Sequence, residues 1–257
     1  MAESPSSVPP TDPSFRSRLR PLAVSALFDT GTALLLVAVA AAVIGQQFHL
    51  SLAYVSQAVA VFAGLLLMLS PFLPQHLPLQ RFGAANRVTL ARAGIAALAA
   101  GLIGPFEPTP TLSWSIAALA GLALLLDGAD GWLARRHGLA SRFGARFDLE
   151  VDAFLILVLA VLVYHSAKAG VWVLLSGGMR YGFVALGQVL PWLQQPLPPR
   201  KRRQTICVVQ SVTLVLCLTP VLVPPWTNRL AAVALVLLAI SFALDVVWLA
   251  RRSSRRR

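Results

Sequence analysis

The sequence predicts an all-α polytopic membrane protein of about eight transmembrane helices, and three observations carry that expectation. Hydrophobic residues make up 57% of the 257 residues and charged residues only 12%, about half the charged share of a soluble domain. The apolar residues gather into stretches that approach or exceed the ~20 residues needed to span a bilayer. No run alternates polar and apolar residues as barrel strands would. The formal net charge of +12 does not imply a nucleic-acid partner, because the basic residues flank apolar spans as membrane topology requires.

In chain order, residues 1–14 are rich in Pro and Ser and are expected to be disordered. They lack the basic start of a signal peptide, and the apolar stretch after them is too long for one. Spans follow near 22–45 and 52–73, the second closed by Pro71, Pro74 and Pro78. Six more are expected near 86–104, 112–135, 145–166, 170–194, 205–223 and 229–250. Cys207 and Cys217 share one apolar segment and read as small packing residues. His49, His76, His137 and His165 are scattered at helix ends, which argues against a histidine-based metal site.

Charge placement orients these spans. With the N-terminus inside, the inner face receives Arg16, Arg18, Arg20, Arg81, Arg87, Arg135, Arg136, Arg142, Arg146, the run Arg200–Arg203 and the C-terminal arginines. The outer face receives Lys168 and Arg229. This asymmetry predicts both termini in the cytoplasm. The preference for Arg over Lys, together with the Ala and Leu bias, points to a GC-rich bacterial source and so to the inner membrane.

One segment carries the chemistry. It reads Asp127-x2-Asp130-Gly131-x2-Ala134-Arg135-x8-Gly144-x3-Asp148-x3-Asp152. Four of its signature positions are carboxylates, whereas the whole chain holds ten Asp and Glu. Charges against apolar helices are costly and are kept mainly for function. Asp127, Asp130, Gly131 and Ala134 step by three and four and share a helix face; Gly144, Asp148 and Asp152 step by four and share a face on the next helix. A hairpin at 137–143 brings the two faces together at one depth. Carboxylates so crowded repel one another unless cations neutralise them, and oxygen-only ligands suit Mg2+ or Mn2+. Gly131, Ala134 and Gly144 leave room for a close approach, and Arg135 offers a fork for phosphate oxygens. Carboxylates, metal and Arg together point to phosphoryl-type transfer.

The segment resembles the signature of the CDP-alcohol phosphotransferase family of integral membrane enzymes, and all eight signature positions match. At average residue usage a chance match at one place is on the order of one in 10^9. A second pattern of the family, Asn-x2-Thr-x2-Arg on the preceding helix, is matched by Asn86, Thr89 and Arg92. Two departures are Ala85 in place of the usual Pro and Leu126 in place of a frequent Ser or Thr; neither removes a charged group.

The resemblance implies roles residue by residue. Asp127, Asp130 and Asp148 are similar to the ligands of a centre of two ions, Mg2+ or Mn2+. Asp152 is similar to a further ligand that also acts as general base on the acceptor hydroxyl. Gly131, Ala134, Arg135 and Gly144, with Asn86 and Thr89, are similar to the positions that hold the CDP moiety. The implied fold is a six-helix core over 81–257, preceded by two extra helices over 15–80. The implied reaction is transfer of a phosphatidyl group from CDP-diacylglycerol to an alcohol, with release of CMP, in phospholipid biosynthesis. The family also implies a homodimer.

The acceptor is read from outside the signature. The run Arg200–Lys201–Arg202–Arg203 followed by Thr205 loosely resembles the basic element of phosphatidylglycerophosphate synthases. Arg180 lies mid-span, where an arginine usually faces a cavity. Both favour an anionic acceptor, glycerol 3-phosphate or an inositol phosphate, over serine or another neutral alcohol. Positive-inside topology accounts equally well for 200–203. Asp29 and Asp245 are expected to pair between helices. Gly178 and Gly182 form a GxxxG spacing suited to close helix packing or a dimer. A divalent-cation transporter is the alternative of another class, but it would distribute its acids along the membrane depth and would not place Arg135 beside them.

Overall fold

A computed structural model describes residues 13–104, 109–137, 141–195 and 201–254. Among them are eight α-helices and no strand: α1 (Pro13–Gln47), α2 (Leu52–Leu69), α3 (Ala84–Gly101), α4 (Pro110–His137), α5 (Arg142–His165), α6 (Leu175–Val189), α7 (Lys201–Leu218) and α8 (Trp226–Ser254). The expected disordered tail lies outside the described residues as far as residue 12; Pro13 and Ser14 open α1.

Four helical stretches are long and apolar enough to cross a membrane: Leu19–Gln47, Leu52–His76, Pro110–Gly128 and Trp226–Arg252. They expose side chains no aqueous surface would keep, such as Leu27 and Phe28 on α1 and Val233 and Val236 on α8. The protein is a multi-pass membrane protein. Helix α5 is long enough, but Arg142, Arg146, Asp148, Glu150 and Asp152 charge its first half. The single span expected near 170–194 is instead three pieces: a 3-10 turn at Val171–Leu174, the short α6, and a second 3-10 turn at Pro191–Gln194. Pro191 lacks the backbone N–H needed to continue the helix.

Helix α3 is the centre of the bundle, packed against α1, α2, α4 and α5. Its composition explains this. Ala93, Ala96, Ala97, Ala99 and Ala100 are buried along it, and small residues let helix backbones approach closely. A Cβ at Gly94 would lie 2.9 Å from Val37, and one at Gly101 2.9 Å from both Tyr54 and Ala58. The N-terminal helices therefore seat directly on α3. Tyr54 donates its hydroxyl to the Leu98 carbonyl, and Gln57 donates to the carbonyls of Ala100 and Ile103. On the far side, α7 packs against α4, α5 and α8, and α6 against α5.

The close packing within the chain expected at the GxxxG spacing needs correction. Cβ atoms at Gly178 and Gly182 would meet nothing, whereas one at Gly177 would lie 2.4 Å from the Leu157 backbone. The close approach of α6 to α5 runs through Gly177 and its neighbour Ser176, which accepts a hydrogen bond from Gln210 of α7 at 3.0 Å. The spacing in the sequence is real, but that face turns away from the helices packed here.

A carboxylate cluster around a buried arginine

Gly83, at φ 84°, turns the chain into α3 in a conformation that favours glycine. Asn86, Thr89 and Arg92 then follow at intervals of three along one face, and all three are buried. Arg92 sits about 9 Å deeper than Asn86 at the helical rise of 1.5 Å per residue and is fully buried. Its Nη1 donates to Asp148 at 2.6 Å. Its Nη2 lies 2.6 Å from Asp127 and also donates to Asp152.

One guanidinium thus gathers carboxylates from both helices of the hairpin. An oxygen from each of Asp127, Asp148 and Asp152 lies within 4.8 Å of the others. The three side chains keep 28%, 40% and 34% of their surface exposed, so the cluster opens to one side while Arg92 closes the other. Among the described residues, three carboxylates here meet one guanidinium, an excess of negative charge that a cation would offset. The donor set, carboxylate oxygens alone, fits a hard divalent ion such as Mg2+ or Mn2+.

Local structure explains the placement. Ser141 takes an extended conformation and caps α5, its hydroxyl accepting from the Gly144 N–H at 2.9 Å. Asp148 and Asp152 then lie one and two turns beyond Gly144 on the same face. Gly144 is small because Asn86 stands over it: an added Cβ would come within 2.9 Å of Asn86 Oδ1. Asn86 is not the helix cap; its amide donates to the Phe82 carbonyl at 2.6 Å, and Thr89 donates to the Ala85 carbonyl at 3.2 Å. Asp130, Gly131, Ala134 and Arg135 lie at the end of α4, and their side chains fall outside the described residues.

A sequence model of CDP-alcohol phosphatidyltransferases matches residues 82–252, from the entry to α3 almost to the end of α8. The chain belongs to the CDP-alcohol phosphatidyltransferase family. No curated protein and no solved structure matches it. Membership makes the protein a transferase of phosphate-containing groups in phospholipid synthesis. The matched region contains the whole carboxylate cluster and leaves out α1 and α2.

Within the family region, Arg180 of α6 is not part of the cluster. It is paired with Glu150 of α5 at 2.6 Å and is about a quarter exposed. Glu150, two residues from both Asp148 and Asp152, points off their face, as helical spacing requires. The sequence reading passed over Glu150; an acid in the charged half of a helix, opposite a mid-span arginine, was the available signal. In the basic run, Arg202 bonds Asp245 of α8 at 2.7 Å and the Ser241 carbonyl, while Arg203 lies 3.6 Å from the same Asp245. Asp29 pairs with Arg87 at 3.1 Å. The expected pairing of Asp29 and Asp245 between helices is what the structure contains. Arg200 and the side chain of Lys201 lie outside the described residues.

Proposed function

We propose that the protein transfers the phosphatidyl group of CDP-diacylglycerol to the hydroxyl of an anionic alcohol, releasing CMP. The observation that carries this is the convergence of Asp127, Asp148 and Asp152 on one point within a chain of this family. Asp127, Asp130, Asp148 and Asp152 would hold one or two Mg2+ or Mn2+ ions, which when bound would offset the charge of the diphosphate and the departing CMP.

The chain's own residues do the rest. Asp152, the most C-terminal carboxylate, takes the proton of the acceptor hydroxyl, which must come within about 3 Å. The acceptor oxygen then bonds to the β-phosphorus, the bridging P–O bond breaks, and CMP leaves with the electron pair. Asn86 and Thr89 on α3, with Gly131, Ala134, Arg135 and Gly144, would hold the nucleotide. Arg92 holds the carboxylates at fixed separation. The diacylglycerol tails remain in the bilayer beside the exposed apolar helix faces.

An anionic acceptor, such as glycerol 3-phosphate or an inositol phosphate, is favoured by the corner where α7 meets α8. There Arg202 and Arg203 stand together beside Asp245, and paired guanidiniums of this kind suit a phosphate. Arg180, paired with Glu150, adds a further guanidinium beside the carboxylate helix. A cation-transport path fits less well, because the fully buried Arg92 closes the inner side of the cluster. We read residues 15–80 as an added N-terminal unit and 81–257 as the catalytic core, in the bacterial inner membrane with both termini cytoplasmic.

The test supplies purified protein with labelled CDP-diacylglycerol, Mg2+ or Mn2+, and glycerol 3-phosphate, myo-inositol phosphate, serine or ethanolamine in turn. CMP release with an anionic acceptor is the expected result. Release with serine or ethanolamine alone overturns the acceptor reading, and failure to bind the nucleotide lipid overturns the reaction.

A further inference from the structure

The region matched by the family begins at residue 82, yet a residue before it reaches the helix that carries two of the carboxylates. After α2 the chain makes a 3-10 turn at Ser70–His76, which packs on the start of α5. His76 is 2% exposed. Its Nε2 lies 2.9 Å from the Arg81 carbonyl, a group that only accepts, so Nε2 carries the hydrogen. In the neutral ring Nδ1 is then the acceptor, and it receives the Ser141 hydroxyl at 2.7 Å. The Ser141 oxygen in turn accepts the Gly144 N–H at 2.9 Å. Three hydrogen bonds run in one direction, from the α5 backbone to residue 81.

Packing reinforces the chain of bonds. The Phe143 ring meets His76 edge-on at 5.9 Å, and the Arg146 guanidinium lies 3.6 Å over the Phe72 ring. The first turn of α5 is therefore held by the 3-10 turn on one side and by Asn86 on the other.

We propose that His76 is a positioning residue for the carboxylate cluster. By orienting the Ser141 hydroxyl it fixes the cap of α5, and with it the rotation and depth at which Asp148 and Asp152 are presented. This gives the N-terminal unit a role in the site: α2, itself packed on α1 and α3, runs into the turn that carries His76 and packs against it. The inference rests on the metal-centre reading for its consequence, though not for its geometry.

The experiment uses the full chain in lipid nanodiscs and measures backbone hydrogen exchange together with Mn2+ binding by electron paramagnetic resonance. The variants are His76→Ala, His76→Asn, Ser141→Ala and the double alanine variant. His76→Ala is expected to speed exchange about 5-fold at residues 144–148, an effect of the size of a lost helix cap, and to weaken Mn2+ binding about 5- to 10-fold. Asn offers an acceptor where Nδ1 stands, so His76→Asn should restore most of both. The double variant should match Ser141→Ala. Unchanged exchange at 144–148 in His76→Ala, or additive effects in the double variant, overturns the proposal. So does faster exchange spread evenly through α3 and α5 without rescue by Asn. If His76→Ala does not fold, Ser141→Ala and His76→Asn carry the same comparison. Should the parent protein bind no Mn2+, the metal reading falls, while the exchange pattern still decides whether His76 sets the helix.

Discussion

Two clusters of Arg and Asp sit between helices of this protein, and they are built in opposite proportion. Around Arg92, three carboxylates meet one guanidinium; around Asp245, two guanidiniums meet one carboxylate. The first arginine is fully buried, whereas Arg202 and Arg203 keep about a third of their side-chain surface. The Asp245 carboxylate is almost enclosed, at 6% exposed, and its bonds tie α7 to α8. The carboxylates around Arg92 keep an open side, with oxygens close enough to share a metal ion. Residue types alone do not separate the two; stoichiometry and exposure do.

Substitutions on each side can break the comparison. The largest effect is expected for Asp152→Asn, which keeps size but removes the base; CMP release should fall by about 10^2- to 10^4-fold, read in single-turnover assays at saturating metal. Near-parent rates would remove Asp152 from the chemistry. Next is Arg92→Ala, which leaves three carboxylates without their guanidinium. Breaking a fully buried pair costs about 3–5 kcal/mol, and with the carboxylates here 28–40% exposed the loss should fall at the low end of that range. Thermal unfolding in EDTA should show the loss, and Mn2+ should recover more stability in the variant than in the parent. Equal recovery in both proteins would mean that arginine and metal do not share the cluster.

A smaller effect is expected for Asp245→Asn. It weakens charged hydrogen bonds worth about 1.5–3 kcal/mol and should lower the melting temperature while leaving Mn2+ affinity unchanged. A change in Mn2+ affinity would connect the two clusters. The smallest is Arg87→Ala, because Arg87 is 61% exposed in its pair with Asp29. Exposed pairs contribute up to about 1 kcal/mol, and Asp29 is only 10% exposed, so chemical denaturation should show a loss of about that size.

Much of the fold was legible in the chain. Apolar length and charge placement predict the eight helices, because a bilayer leaves backbone polar groups no partner outside a helix. The failure at 170–194 has a local cause: Pro191 and the 3-10 turns divide a stretch that hydropathy alone joins. The signature spacing was legible for a similar reason, since steps of three and four put residues on one face wherever the helix lies. Gly178 and Gly182 show the limit of that logic. Their spacing describes a face, but which neighbour meets it depends on how α5 and α6 cross, and the contact falls at Gly177.

By itself, then, the sequence determined the helical membrane class, the shared faces of Asp127, Asp148 and Asp152, and the family to which they belong. The first two follow from composition and local periodicity, the third from the match to the family's signature. Only the tertiary structure decided that Arg92, from a third helix, closes the carboxylate cluster, that Glu150 takes Arg180, and that His76 reaches Ser141 across 65 residues of chain. Such pairings join helices distant in sequence, and no spacing along one helix encodes which distant side chain will fill the space beside it.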